Sequence, residues 1–179
     1  MSSKKNNTFK MVFLGDSSVG KTCISTRFVK DEFTDFQEPT IGAAFQTKEM
    51  VVGEKIIRFE IWDTAGQERY RSLAPMYFRN ADVALIFFDL SKLNTYFSID
   101  YWKNELNRYG PKDLLQIVVG NKLDLIDKEN IDIKYKKHFL ISTKENIDLD
   151  KLIETSIKET LKIKEKVELE NKISFENRM

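Results

Sequence analysis

Cysteine is almost absent: Cys23 is the single one in 179 residues, so no intrachain disulfide can form and a reducing, intracellular setting fits. Histidine is equally scarce, and His138 has no neighbouring cysteine or carboxylate cluster in the sequence to suggest a metal site. The longest purely apolar run, Val83–Phe88, is far too short to cross a bilayer. Neither charge sign is in surplus. With 29 basic against 28 acidic residues and a net charge of +1, nothing favours nucleic acid or a bare membrane surface. The start of the chain is polar, without an apolar signal core, and Ser2 stands where myristoylation would require glycine. The last residues offer no cysteine to prenylate, and Lys162, Lys164, Lys166 and Lys172 alternate with Glu165, Glu168 and Glu170 rather than forming a polybasic anchor. There is no repeat, low-complexity linker or second domain.

Against these absences one segment stands out. Gly15-Asp16-Ser17-Ser18-Val19-Gly20-Lys21-Thr22 matches G-x-x-x-x-G-K-[ST], a loop that cradles nucleotide phosphates. Its glycines let the backbone curl so that successive amides, from Asp16 through Cys23, converge on an anion. Lys21 supplies an ammonium for the outer phosphates, and the Thr22 hydroxyl suits Mg²⁺. An apolar strand, Phe9–Leu14, precedes the loop, and a helix over Thr22–Lys30 follows, so the loop sits at a helix N-terminus.

Further strands are expected over Ala44–Val52 and Lys55–Trp62 (a hairpin around Gly53), Val83–Asp89, Leu115–Gly120 and Phe139–Ile141. Helices are expected over Thr95–Tyr109 and Leu149–Lys166, the latter with Asp148 as N-cap. The alternation predicts an α/β, doubly wound, open sheet whose ligands bind at the carboxyl ends of its strands. Two more motifs fall at such ends. Asp63-Thr64-Ala65-Gly66-Gln67 offers a carboxylate for Mg²⁺, a glycine amide for a terminal phosphate, and a glutamine to hold an attacking water. Asn121-Lys122-Leu123-Asp124 offers a carboxylate that can accept both guanine N1–H and the 2-amino group, where adenine would present a lone pair. Lys122 has a stem to lie on the base, and Asn121 can tie neighbouring loops together.

The chain resembles the Ras-like small GTPases, and within them the Rab family, on these motifs and on Trp62–Tyr70, Arg58–Ile61 and Tyr77–Arg79. Phe36–Phe45 and Ser72–Tyr77 are most similar to the early-endosome Rab class. The resemblance implies a three-layer P-loop NTPase fold with six strands, one of them antiparallel, in a G domain over residues 9–168. Residues 1–8 are expected as a flexible lead-in, and 169–179 as a tail that is either truncated or natively unprenylated. It implies GTP and GDP as ligands, and Mg²⁺ held by Thr22, Thr40 and Asp63. Phe33 is implied to stack on guanine, and Ser142, Thr143 and Lys144 to form the last base loop. Lys21, Thr40, Gly66 and Gln67 are the implied catalytic set. Ile41, Phe45, Trp62 and Tyr77 are implied to face effectors, although the residues alone would place Phe45, Trp62 and Tyr77 in the core. Partners would be effectors, an exchange factor and an activating protein. The chain would be a cytoplasmic monomer, peripheral on endosomal membranes if lipidated.

Two departures carry expectations of their own. Thr143 replaces the family's alanine, with modest consequences because the position acts through its N–H. The stretch from Leu125 to His138 is short for a crossover, so the fold's fourth helix, between the fifth and sixth strands, is expected to be stunted or missing. Ile131, Ile133 and Tyr135 alternate there, as suits an extended piece or a helix. Two other readings of the chain are an adenine-nucleotide kinase or ATPase and a nucleotide-binding scaffold without hydrolysis.

Overall fold

The computed structural model describes residues 8–127 and 131–176. Most of the expected lead-in and the last residues of the tail therefore lie outside the described residues. Six strands form one sheet: β1 (Thr8–Gly15), β2 (Ala43–Val52), β3 (Lys55–Thr64), β4 (Val83–Asp89), β5 (Leu115–Asn121) and β6 (His138–Leu140). Their spatial order is β2-β3-β1-β4-β5-β6. Only the β2–β3 pair is antiparallel, closed by a turn in which Gly53 takes φ 60°. Four helices flank the sheet among the described residues: α1 (Lys21–Lys30), α2 (Ala74–Phe78), α3 (Leu93–Tyr109) and α4 (Leu149–Glu176).

The central strands read as unbroken apolar runs because both faces are covered. On one face Phe9, Met11 and Phe13 of β1 join Ile57, Phe59 and Ile61 of β3 and Leu85 and Phe87 of β4, under Ile24 and Phe28 of α1 and Leu152 and Ile157 of α4. On the other, Val12, Leu14, Ala84, Ile86 and Phe88 meet Phe78 of α2 and Ile99, Trp102 and Leu106 of α3. Trp102, Phe87 and Phe88 are thus core residues, as their types and positions predict. The apolar stripe of α4 is buried through Thr160, and the Asp148 carbonyl accepts its first backbone bond from Leu152 at 3.0 Å. The helix then runs past the expected Lys166 to Glu176. Its later turns carry alternating charges that favour a solvated helix, a propensity the fading apolar stripe conceals.

Between β5 and β6, a 3-10 turn over Leu123–Leu125 is followed, among the described residues, by extended chain rather than helix. Ile133 and Tyr135 pack against the second core. The Lys134 N–H donates to Tyr96 Oη at 3.1 Å, and the Tyr135 hydroxyl and Lys134 ammonium hold Asp100 at 2.8 and 2.7 Å. The alternation of Ile131, Ile133 and Tyr135 is therefore carried by non-helical chain, which bonds to Tyr96 and Asp100 of α3.

Candidate nucleotide site

The parallel strands end on a common edge, and the loops leaving them surround a cavity of about 480 Å³. Gly15 ends β1 with φ 138° and leaves no room for a side chain, since a Cβ would sit 2.3 Å from the Phe87 carbonyl oxygen. Gly20 opens α1 with φ 98°, and a Cβ there would collide with the Asn121 amide at 2.3 Å. Both positions demand glycine for conformation and for space.

Lys21 is only 5% exposed, and its ammonium donates to the carbonyls of Gly15 and Asp16 at 2.9 and 2.7 Å. Burial lowers its pKa to about 8, against the opposing pull of Asp63 and Asp16. Beside it lie the three oxygens expected to meet a cation. The Thr22 hydroxyl donates to Asp63 Oδ2 at 2.6 Å, the Thr40 hydroxyl lies 3.0 Å from that of Thr22, and it reaches the same carboxylate oxygen at 3.4 Å. Asp63 is fully buried, and its other oxygen has no hydrogen-bond partner. Burial pushes its carboxyl above the usual range, only partly opposed by the hydroxyls and Lys21. A buried carboxylate oxygen without a partner, flanked by two hydroxyls, is a set of hard oxygen donors suited to Mg²⁺.

Gly66 completes this end. A Cβ on it would lie 2.3–2.4 Å from the backbone carbon, oxygen and nitrogen of Asp16 and Ser17. The loop after β3 thus rests directly on the phosphate loop, and Gln67 borders the cavity.

At the opposite end, the Asn121 amide donates to the Val19 carbonyl at 2.9 Å while its oxygen accepts from the Thr143 N–H and hydroxyl at 3.2 and 2.9 Å. One side chain therefore ties the phosphate loop to the last base loop. Thr143 does so with a hydroxyl that alanine lacks. The Ser142 hydroxyl donates to Asp124 Oδ1 and accepts from the Glu145 N–H at 3.0 Å. Lys122, with φ 67°, pairs with the buried Asp89 at 2.7 Å. Burial of Asp89 is outweighed by Lys122 and Ser91, which hold its carboxyl below the usual range.

Of the residues expected at the nucleotide, Ser17, Ser18, Gly20, Lys21, Thr22, Cys23, Phe33, Thr40, Gly66, Gln67, Asn121, Lys122, Asp124, Thr143 and Lys144 line one cavity. Val19 and Ser142 support it from behind through the bonds just described. Asp16 contributes backbone, but its carboxylate turns outward to Arg71 at 2.9 Å and Ser98 at 2.6 Å. Helix-start position would allow a lowered Cys23 thiol pKa; instead burial raises it. Sequence reasoning missed the wall formed by Asp35, Gln37, Glu38 and Pro39. It also missed Arg27, which donates to the carbonyls of Thr143 and Lys144 at 3.4 and 3.1 Å. Nothing in the residue pattern around 35–39 marks them as lining a cavity, nor marks Arg27 as bracing the loop after β6.

Phe45, Trp62 and Tyr77 lie outside the cavity as one stack, with ring centroids 5.0 and 5.7 Å apart. Phe45 is 49% and Ile41 79% exposed, whereas Trp62 and Tyr77 are half-buried against the second core. The stack is both core edge and surface, so the core reading from the residues alone holds in part for Trp62 and Tyr77 and not for Phe45.

A model of the Ras family matches residues 10–173. The chain is 40% identical over 154 residues to the human Ras-related protein Rab-31, covering 86% of this chain and 76% of that one. It is 49% identical over 123 residues to the GTP-binding protein YPT53 of Saccharomyces cerevisiae, covering 69% and 56%. It is 46% identical over 130 residues to the Ras-related protein RABF2a of Arabidopsis thaliana, covering 73% and 65%. The match thus spans less than two thirds of the yeast and plant proteins. The phosphate loop, the two later motifs and a family match over most of the chain agree: it belongs to the Ras family, among Rab-type relatives.

Proposed function

We propose that the protein is a guanine-nucleotide switch that binds GTP and GDP and hydrolyses GTP slowly by itself. One observation carries this reading: a single cavity has Lys21, Thr22 and Thr40 at one end, with Asp63 bonded behind the two threonines, and Asn121, Lys122 and Asp124 at the other. The first set fits a polyphosphate with its cation, and the second fits a base with adjacent donors.

Thr22, Thr40 and Asp63 would hold Mg²⁺, which when bound neutralises charge on the terminal phosphates. The amides of the phosphate loop and the Lys21 ammonium stabilise negative charge there, in a site where water screens little. Gly66 brings an amide next to the terminal phosphate, and Gln67 orients the attacking water. No arginine lines the cavity among the described residues, so an activating protein would supply one or otherwise order Gln67. Loss of the terminal phosphate would free Thr40 and Gly66, and with them the surface of Ile41, Phe45, Trp62 and Tyr77 that effectors would read. Similarity to the Rab relatives supports an exchange factor, effectors and a role in endosomal membrane traffic.

The test is calorimetry on nucleotide-stripped protein followed by phosphate release. GDP should bind far more tightly than ADP or IDP, and GTP should turn over. Equal uptake of ADP would support the kinase reading. Tight GTP binding with no phosphate released, even with an activating protein, would leave a scaffold.

A further inference from the structure

We infer that Arg71 is a positioning residue that pins the turn carrying Gln67 to the outer face of the phosphate loop. This rests on the switch reading above and concerns residues outside the cavity lining.

Arg71 belongs to the 3-10 turn Glu68–Leu73, which begins directly after Gln67. That turn buries none of its residues, so its own packing does little to fix it. Its guanidinium is held from two sides. It donates to Asp16 Oδ1 at 2.9 Å, and it lies 4.9 Å from the ring centre of Tyr101 and 5.8 Å from that of Trp102, both on α3. The second carboxylate oxygen of Asp16 accepts from the Ser98 hydroxyl, also on α3, at 2.6 Å. Three segments thus meet at one carboxylate: phosphate loop, Gln67 turn and α3.

Two features make this more than a surface ion pair. Both side chains are largely covered, at 27% and 19% exposure, so water screens the pair weakly. And the Arg71 Nε–H is buried with no acceptor, so the guanidinium keeps this seat despite a donor left unpaired. A planar cation that stacks on rings while donating one N–H to a carboxylate is what arginine provides and lysine does not.

The clamp acts on catalysis through Gln67. The Tyr70 N–H donates to the Gln67 carbonyl at 3.0 Å, closing the first bond of the turn. With Arg71 held and Gly66 resting on Asp16, the segment carrying Gln67 is anchored to the same phosphate-loop residue on both sides. Gln67 can then hold a water with little loss of orientation.

The test uses the full chain loaded with GTP, in single-turnover phosphate release, with GDP affinity measured alongside. Arg71→Ala should slow hydrolysis about tenfold while GDP affinity changes much less. Arg71→Lys should recover only part of the rate, and Asp16→Asn should reproduce the loss. In a Gln67→Leu background, Arg71→Ala should change the rate by less than about twofold, because the residue it positions is gone. Wild-type hydrolysis in Arg71→Ala would overturn the proposal, as would an equal loss in both backgrounds, which marks a merely structural role. If the unaltered chain neither binds nor hydrolyses GTP, the switch reading fails by itself. The clamp is then judged by hydrogen exchange at the Tyr70 amide, which Arg71→Ala and Asp16→Asn must both accelerate for it to stand.

Discussion

Behind the phosphate end of the cavity, Lys21 is a buried charge held only by carbonyls and Asp63 keeps one buried oxygen without a partner, whereas at the base end Asn121 is already bonded to Thr143 and Val19, and Ser142 to Asp124. The first end stores an unfavourable burial that a ligand relieves. The second spends its hydrogen bonds on holding a shape. Affinity should therefore be dominated by the phosphate end and selectivity by the base end, and the two should respond differently to substitution and to pH.

Four experiments break or sharpen that contrast. Lys21→Ala should weaken GDP and GTP by about 10³-fold in calorimetry, since it removes the buried ammonium held at the phosphate loop. The preference for guanine over adenine should survive. Asp124→Asn should do the reverse. GDP affinity should fall about 10²-fold while xanthosine diphosphate gains, because an amide can donate where the carboxylate accepts. Retained guanine preference would remove Asp124 from base reading.

The third experiment is a pH series. The Lys21 ammonium titrates at about 8 in the folded, nucleotide-free chain and at the ordinary 10.5 when unfolded. Above about pH 8 the free site must take up a proton to grip a phosphate, so GDP affinity should fall by up to about tenfold per pH unit. Over the same range the unfolded chain holds more protons than the folded one, so this group makes the stripped protein more stable as pH rises from 8 to 10.5. Urea melts and binding curves should move in opposite directions, and Lys21→Ala should flatten both. The smallest effect belongs to the base end. Thr143→Ala deletes one of two donors to a single Asn121 oxygen and should lower the stability of the stripped protein by about 1 kcal/mol in urea unfolding.

The contrast also explains what could be read from the sequence. Gly15, Gly20, Lys21, Thr22, Asp63 and Gly66 are legible because a phosphate site constrains backbone and residue type together at short spacing. Asn121 and Asp124, which line the same cavity, are legible because the proposed base recognition needs particular functional groups. The open, mostly parallel sheet is legible from alternating elements and continuous apolar strands, but its strand order is not. What stayed hidden depends on long-range contacts. The outward turn of Asp16 requires Arg71 and Ser98, fifty-five and eighty-two positions away. The wall over Asp35–Pro39 has no periodicity, and its place is set by the loop bridging α1 and β2. In the stretch after β5, alternation alone could not separate strand-like from helical chain; Asp100, Tyr96 and Lys134 decide it.

The seat of Gly66 on Asp16 leaves no gap even for a methyl group. Neither loop can therefore acquire bulk unless the other yields, and evolution or a laboratory library would have to vary them jointly. A saturation screen for folded, ligand-competent variants should return an empty column at position 66, while Arg71 and Ser98, which touch the same partner through flexible side chains, should tolerate replacement and merely lose speed.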